Sequence, residues 1–233
     1  MLQCGRLTCP KRWLLVLGVL MAGELSAAVA AEREVRVFNI LVDGRKVGQY
    51  QMEVTRQDNG TLAMTGSAKA RVSLVVYTVT YTYDGTEVWK DGRLQSFRST
   101  CNDNGKHYQV GAAAEGNGLR VRVIEGNRRP GVERLTRADV WTTSYWHLPP
   151  AGYRNQAVPL LDADTGRDIA GQLRYLGAEQ VSVAGQKLAC THYRVTGGPS
   201  PVDLWYDGQE RLVRQDYMEE GHRTILELAN IQR

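Results

Sequence analysis

Residues 72–94, Val72-Ser-Leu-Val-Val-Tyr-Thr-Val-Thr-Tyr-Thr-Tyr-Asp-Gly-Thr-Glu-Val-Trp-Lys-Asp-Gly-Arg-Leu94, decide the fold. Between Val72 and Tyr83, one face collects Val75, Tyr77, Val79, Tyr81 and Tyr83, and the other shows Thr78, Thr80 and Thr82. Extended chain places successive side chains on opposite faces, so a period of two reads as a strand with one buried face. Asp84-Gly85 and Asp91-Gly92 follow, and Asp-Gly tolerates the positive φ angles of the tight turns that join antiparallel strands.

Both signals recur outward from this stretch. Turn dipeptides stand at Asp43-Gly44, Asn59-Gly60, Asn104-Gly105, Asn117-Gly118, Ala184-Gly185 and Asp207-Gly208, with short runs rich in Val, Ile, Leu, Thr and Tyr between them. Leu119, Val121 and Val123 alternate with Arg120 and Arg122. The second half reads as strands near Ile169–Leu176, Gln180–Val183, Lys187–Val195, Val202–Tyr206, Leu212–Met218 and Arg223–Ile231. One helix is expected over Thr136–Trp146, capped by Thr136 and ended by Pro149-Pro150. The expectation is an all-β chain: an antiparallel meander forming a curved or partly open β-barrel with at most one short helix. Residues 31–233 are expected to make a single domain, with an irregular connection near 136–158. Glu87-Val-Trp-Lys-Asp-Gly92 is echoed by Asp203-Leu-Trp-Tyr-Asp-Gly208, which suggests that each Trp packs at a strand end under its turn.

The chain has 233 residues, 42% hydrophobic and 23% charged, values ordinary for a globular protein, which exclude disorder, collagen and a multi-pass membrane protein. Residues 1–30 read as a Sec-type signal peptide: Arg6, Lys11 and Arg12, an apolar run from Trp13 to Ala22, and the small-x-small site Ala28-Val-Ala30. The address expected is periplasmic or secreted, with no membrane anchor left after cleavage. Losing the signal takes Arg6, Lys11, Arg12 and Glu24 from 29 basic and 25 acidic residues, so the remainder is nearly neutral. It lacks the concentrated basic face that nucleic acid requires. Cys4 and Cys9 leave as well, and Cys101 and Cys190 remain as an even pair in an oxidising compartment. The pair can form a disulfide, or each thiol can be buried separately.

The set Phe38-Asn-Ile-Leu-Val-Asp-Gly-Arg-Lys-Val-Gly48, Glu87-Val-Trp-Lys-Asp-Gly-Arg-Leu94, Ser144-Tyr-Trp-His147, Leu161-Asp-Ala-Asp-Thr-Gly-Arg167 and Asp203-Leu-Trp-Tyr-Asp207 resembles an uncharacterised family of exported bacterial proteins, domain of unknown function 6134. It resembles the unknown-function family 3108 more loosely. The resemblance spans nearly the whole chain after residue 30 and implies an exported β-rich, barrel-like protein. It implies no activity.

The residues themselves point to little chemistry. His107, His147, His192 and His222 show no metal-ligand spacing, and no cofactor or metal is expected. Asp162-x-Asp164-x-Gly166-x-Asp168 suggests calcium, but Gly falls at position five and Leu173 at position twelve, where an EF-hand needs Gly at six and Glu at twelve. A polar turn entering the strand at Ile169 accounts for it. No nucleophile elbow, phosphate loop or dinucleotide fingerprint occurs.

The leading expectation is a concave face that binds a lipid-like or other apolar small molecule. Val75, Tyr77, Val79 and Tyr81 would line it, and Trp141, Tyr145, Trp146 and His147 would cover its mouth. The alternative is a structural or assembly protein that binds envelope proteins through an exposed sheet edge. A hydrolase or isomerase using the cavity is the third reading. A contiguous apolar cavity would mark the first, a solid core with a bare edge the second, and carboxylates or His inside a cavity the third.

Overall fold

The computed structural model describes residues 32–73, 78–128, 130–183 and 185–233. Fifteen strands form one sheet: β1 Glu32–Val42, β2 Arg45–Arg56, β3 Leu62–Ser73, β4 Thr78–Lys90, β5 Arg93–Asp103, β6 Lys106–Glu115, β7 Gly118–Glu125, β8 Val132–Arg137, β9 Trp141–Thr142, β10 Ala157–Leu161, β11 Asp168–Val183, β12 Gln186–Thr196, β13 Val202–Tyr206, β14 Leu212–Glu219 and β15 His222–Gln232. The order across the sheet is β8-β7-β6-β5-β4-β3-β2-β1-β15-β14-β13-β12-β11-β10-β9. Two meanders are thus zipped together where β1 pairs antiparallel with β15. Every neighbouring pair is antiparallel except β9 with β10. No helix among the described residues is long and apolar enough to cross a membrane.

The turns show why the chain folds this way. At Asp43-Gly44, Asp91-Gly92 and Asn104-Gly105 both residues have positive φ, between 47° and 89°, the geometry of two-residue hairpins whose twist matches the strands. Glu220-Gly221 does the same (47° and 85°) between β14 and β15, without the Asn or Asp that advertises such a turn. Asp84-Gly85 is a correction: it lies within β4, where Gly85 pairs with Gly66 of β3. Both glycines make room for tyrosines. A Cβ on Gly85 would lie 2.1 Å from the Tyr83 hydroxyl, and one on Gly66 2.4 Å from the Tyr50 hydroxyl.

Two more expectations change. The run Val72–Tyr83 is not one strand, because β3 ends at Ser73, β4 begins at Thr78, and these two residues pair. Four consecutive large residues, Leu74 to Tyr77, connect them without a turn dipeptide. The helix over Thr136–Trp146 is replaced by extended chain: Thr136 pairs with Leu119 in β8, and Trp141-Thr142 form β9. The one helical turn among the described residues is a short 3-10 turn at Ala151–Tyr153.

The sheet rolls up around its own end. A Cβ on Gly166, in the β10–β11 connection, would lie 2.7 Å from Val123 and 2.8 Å from Val110, so this connection sits against the concave sides of β6 and β7. Ser99 of β5 donates to the Ala163 carbonyl (2.6 Å), and Arg134 of β8 pairs with Asp168 (2.8 Å). The interior is filled by Phe38, Met52, Phe97, Leu119, Leu173 and Tyr206, each fully buried.

Candidate functional site

Three features of this roll bear on function: the mid-chain segment inside it, the grooves on its surface, and its free edge. The segment Trp141–Leu148 enters the concave side and is held by Glu87 of β4. The Glu87 carboxylate accepts from Trp89 Nε1 (2.7 Å), Trp146 Nε1 (3.0 Å), Thr142 Oγ1 (3.0 Å) and Ser144 Oγ (2.7 Å). Burial pushes this carboxyl above the usual range, and the four donors pull it part of the way back. Buried Arg36 adds a second clamp, bonding the Trp146 carbonyl (3.0 Å) and Glu34 (2.6 Å).

His147 lies between the Trp89 and Trp146 rings, with centroids 4.8 Å and 4.2 Å away. Its Nδ1 donates to the Leu148 carbonyl (2.8 Å), and its Nε2 meets no partner among the described residues. Burial, with Arg36 nearby, lowers its pKa to about 4, so the ring is neutral near pH 7. Glu87 is fully buried, and the Ser144 hydroxyl is committed to it. The four bonds to Glu87 fasten the segment to β4.

The expected ligand-lining residues divide accordingly. Val75 and Tyr77 lie outside the described residues. Val79 and Tyr81 face the concave side and are half-buried, and the Tyr81 hydroxyl donates to Asp164 (3.0 Å). Trp141, Tyr145 and Trp146 are buried and His147 half-buried, so these side chains occupy the concave face they were expected to cover. Asp164 is a titratable site that its sequence context does not reveal. Burial, reinforced by Asp162, raises its pKa to about 7.

Cys101 on β5 and Cys190 on β12 are free, buried thiols, which corrects the disulfide alternative. Burial pushes them to about 12 and about 11, so neither is a thiolate at neutral pH. The acidic run is a turn, as expected. Asp162 accepts from the amides of Asp164 (3.0 Å) and Thr165 (2.8 Å), while Asp168 faces Arg134, so these carboxylates do not converge. The two Trp echoes have opposite parity. Trp89 points into the core, whereas Trp205, between buried Leu204 and Tyr206, is half-buried on the other face of the sheet, stacked on His192 (4.3 Å, 15°) with the Arg214 guanidinium 5.4 Å from its ring centroid.

Two grooves are open to solvent. One, of about 670 Å³, lies over β1–β5 and is lined by polar side chains such as Gln51, Ser67, Thr86, Arg98 and Thr100. The other, of about 440 Å³, runs along the seam between the concave sides of β6–β8 and residues 165–168.

The roll leaves two sheet edges of very different character. β9 is two residues long and fully buried. β8 is six residues long, pairs only with β7 among the described strands, and exposes Val132 (73%) and Leu135 (65%). It was concealed in the sequence by the cap-like Thr136 and Asp139, which suggested a helix.

A family model described as a domain of unknown function, DUF6134, matches residues 38–229. The chain belongs to this family. Among solved structures, a β-barrel-like protein of the DUF1849 domain of unknown function from Brucella abortus is similar. Its TM-score is 0.61 at 9% identity, covering 86% of this chain and 97% of that one. At that identity the DUF1849 likeness shows a shared barrel-like fold alone. A DUF1329 family protein from Desulfovibrio piger also matches at 14% identity over 88% of this chain and 86% of that one, with a TM-score of 0.21. No curated protein matches the chain. DUF6134 itself carries no assigned activity, so function has to be argued from the surfaces just described.

Proposed function

We propose that this DUF6134 protein is an exported interaction module, carried out of the cytoplasm by residues 1–30, which binds a partner through the free edge of β8. The observation that carries this reading is the edge itself: a six-residue strand that pairs on one side only among the described residues, with Val132 and Leu135 exposed, on a roll whose other edge is buried. Unpaired N–H and C=O groups in a row are a template for a further strand, and an extended segment of a partner satisfies them. The filling of the concave face by Trp141, Trp146, Leu160 and Leu161 favours this reading over an apolar ligand held inside. The groove over β1–β5 is wide open to solvent, whereas small-molecule sites usually enclose most of their ligand.

A photo-crosslinking amino acid at position 135, activated in the producing cell, tests the proposal against the same residue at position 51, on the outer face of β2. Protein adducts at 135 and none at 51 are expected. Equal labelling at both positions, or none at 135, would overturn it.

A further inference from the structure

The edge that carries the proposed function is also self-complementary, and we infer that its partner is a second copy of this chain. In the β7–β8 ladder, Arg134 and Thr136 pair with buried Val121 and Leu119, which puts them on the concave side. Glu133, Leu135 and Arg137 therefore project together from the convex side. A second β8 laid antiparallel about Leu135 brings the two Leu135 side chains opposite each other. Each Glu133 then faces Arg137 of the other copy, twice over by symmetry, and each Arg134 faces Thr136. A two-fold contact of this kind uses one patch on both subunits.

The neighbouring registers on the Glu133 side are poorer in charge or in parity. Centring on Arg134 sets two arginines opposite each other and puts Glu133 against Leu135. Centring on Glu133 opposes two carboxylates. A half-step between Arg134 and Leu135 sets convex side chains against concave ones, with Arg134 facing Leu135. Opposite charges directly across an antiparallel pair stabilise it and like charges do the reverse, so the sequence of β8 favours the Leu135 register, which pairs Glu133 with Arg137 twice, over these. Within one chain Glu133 has only long contacts, 3.8 Å to Arg120 and 3.7 Å to Arg122, and is available for a closer cation. Arg137 is already held by Asp139 (2.7 Å), which presents its guanidinium in one orientation. Five paired residues a side bury less than the roughly 1,200 Å² of a small stable interface, so the pair is weak and concentration-dependent.

This inference rests on the edge reading, and sedimentation equilibrium of the purified protein from about 1 to about 300 µM tests it, a range suited to an interface below the usual size. A reversible monomer–dimer equilibrium is expected. Glu133→Arg and Arg137→Glu, each alone, set like charges opposite twice and weaken dimerisation by about tenfold or more; together they exchange the charges and restore it. Leu135→Cys should oxidise to a covalent dimer, while Glu133→Cys, which faces position 137 and not itself, should not. Far-UV circular dichroism and the unfolding midpoint check that each variant folds.

A monomer at every concentration, or a dimer that neither charge reversal weakens, would overturn self-pairing. Crosslinks from position 135 to a different protein would then leave the edge reading standing, and no crosslinks would end both.

Discussion

Replacing Glu87 tests whether the buried carboxylate holds the mid-chain segment in place. Glu87→Ala removes an acceptor that serves four donors at 2.7–3.0 Å. The Thr142 and Ser144 hydroxyls lie 2.8 Å apart and can satisfy each other. The indole N–H groups of Trp89 and Trp146 have no such recourse, and each unsatisfied buried donor costs about 1–3 kcal/mol. The vacated side-chain volume adds a further cost, and relief from burying a charge offsets part of it. The expected net loss is about 3–5 kcal/mol, at the upper end for a single substitution.

Glu87→Gln keeps the shape. Its amide oxygen can accept from Trp89, Trp146 and Thr142, and its amide nitrogen can donate to Ser144 Oγ, whose own proton turns to Thr142. That variant should lose only about 1–2 kcal/mol, the scale of a charged hydrogen bond made neutral. Urea unfolding followed by tryptophan fluorescence measures both, with hydrogen exchange over 141–148 showing whether the segment loosens. An Ala variant within about 1 kcal/mol of the parent, on a scale where such lost bonds cost more, or a Gln variant as damaging as Ala, would refute the reasoning.

Trp89→Ala should cost about 3–5 kcal/mol, as for a large aromatic lost from a core, while Trp205→Ala, on the other face of the sheet, should cost under about 2 kcal/mol because burial there is incomplete; equal shifts in denaturant midpoint would contradict the opposite parity of the two Trp residues. Gly85→Ala should displace the Tyr83 ring and cost about 1–3 kcal/mol by overpacking, and in Tyr83→Leu the same change should cost less, a coupling that a double-mutant cycle reads directly. Asp164, with its pKa raised from 3.8 to about 7, binds its proton more tightly folded than unfolded. It therefore removes stability as pH rises from about 4 to about 7, at about 1.4 kcal/mol per pH unit at most. His147, lowered from 6.5 to about 4, acts with the opposite sign over nearly the same window, losing stability as pH falls. Relative to the parent between pH 4 and 6.5, Asp164→Asn should gain stability with rising pH and His147→Phe should lose it; parallel profiles for the two variants would contradict both assignments.

The sheet was legible because its signals are local. Asp43-Gly44, Asp91-Gly92 and Asn104-Gly105 announce turns by chemistry that acts over two residues, and Leu119, Val121 and Val123 announce a buried face by parity alone. Misreadings arose where one local signal serves two purposes. Asp84-Gly85 resembles a turn, yet Gly85 is there to accept the Tyr83 ring. Thr136 and Asp139 resemble a helix cap, yet Thr136 belongs to a strand and Asp139 is held by Arg137 and Tyr153. The Glu87 cluster was not legible, since its partners on the mid-chain segment stand 55, 57 and 59 residues away and only the rolling of the sheet brings them together. For the same reason Trp141 and Trp146 read as a cover over a lumen when they are its contents. The free edge was equally hidden, because which strand ends a sheet is decided by all the pairings before it.

The measurement that bears most directly on the edge as the functional surface is native mass spectrometry of the protein purified from the producing cell, with organic extraction of the same sample. The account predicts the mass of the polypeptide or of a whole number of copies, and an extract without a stoichiometric lipid or other apolar molecule. An apolar molecule bound one to one would contradict it and return the function to the concave face.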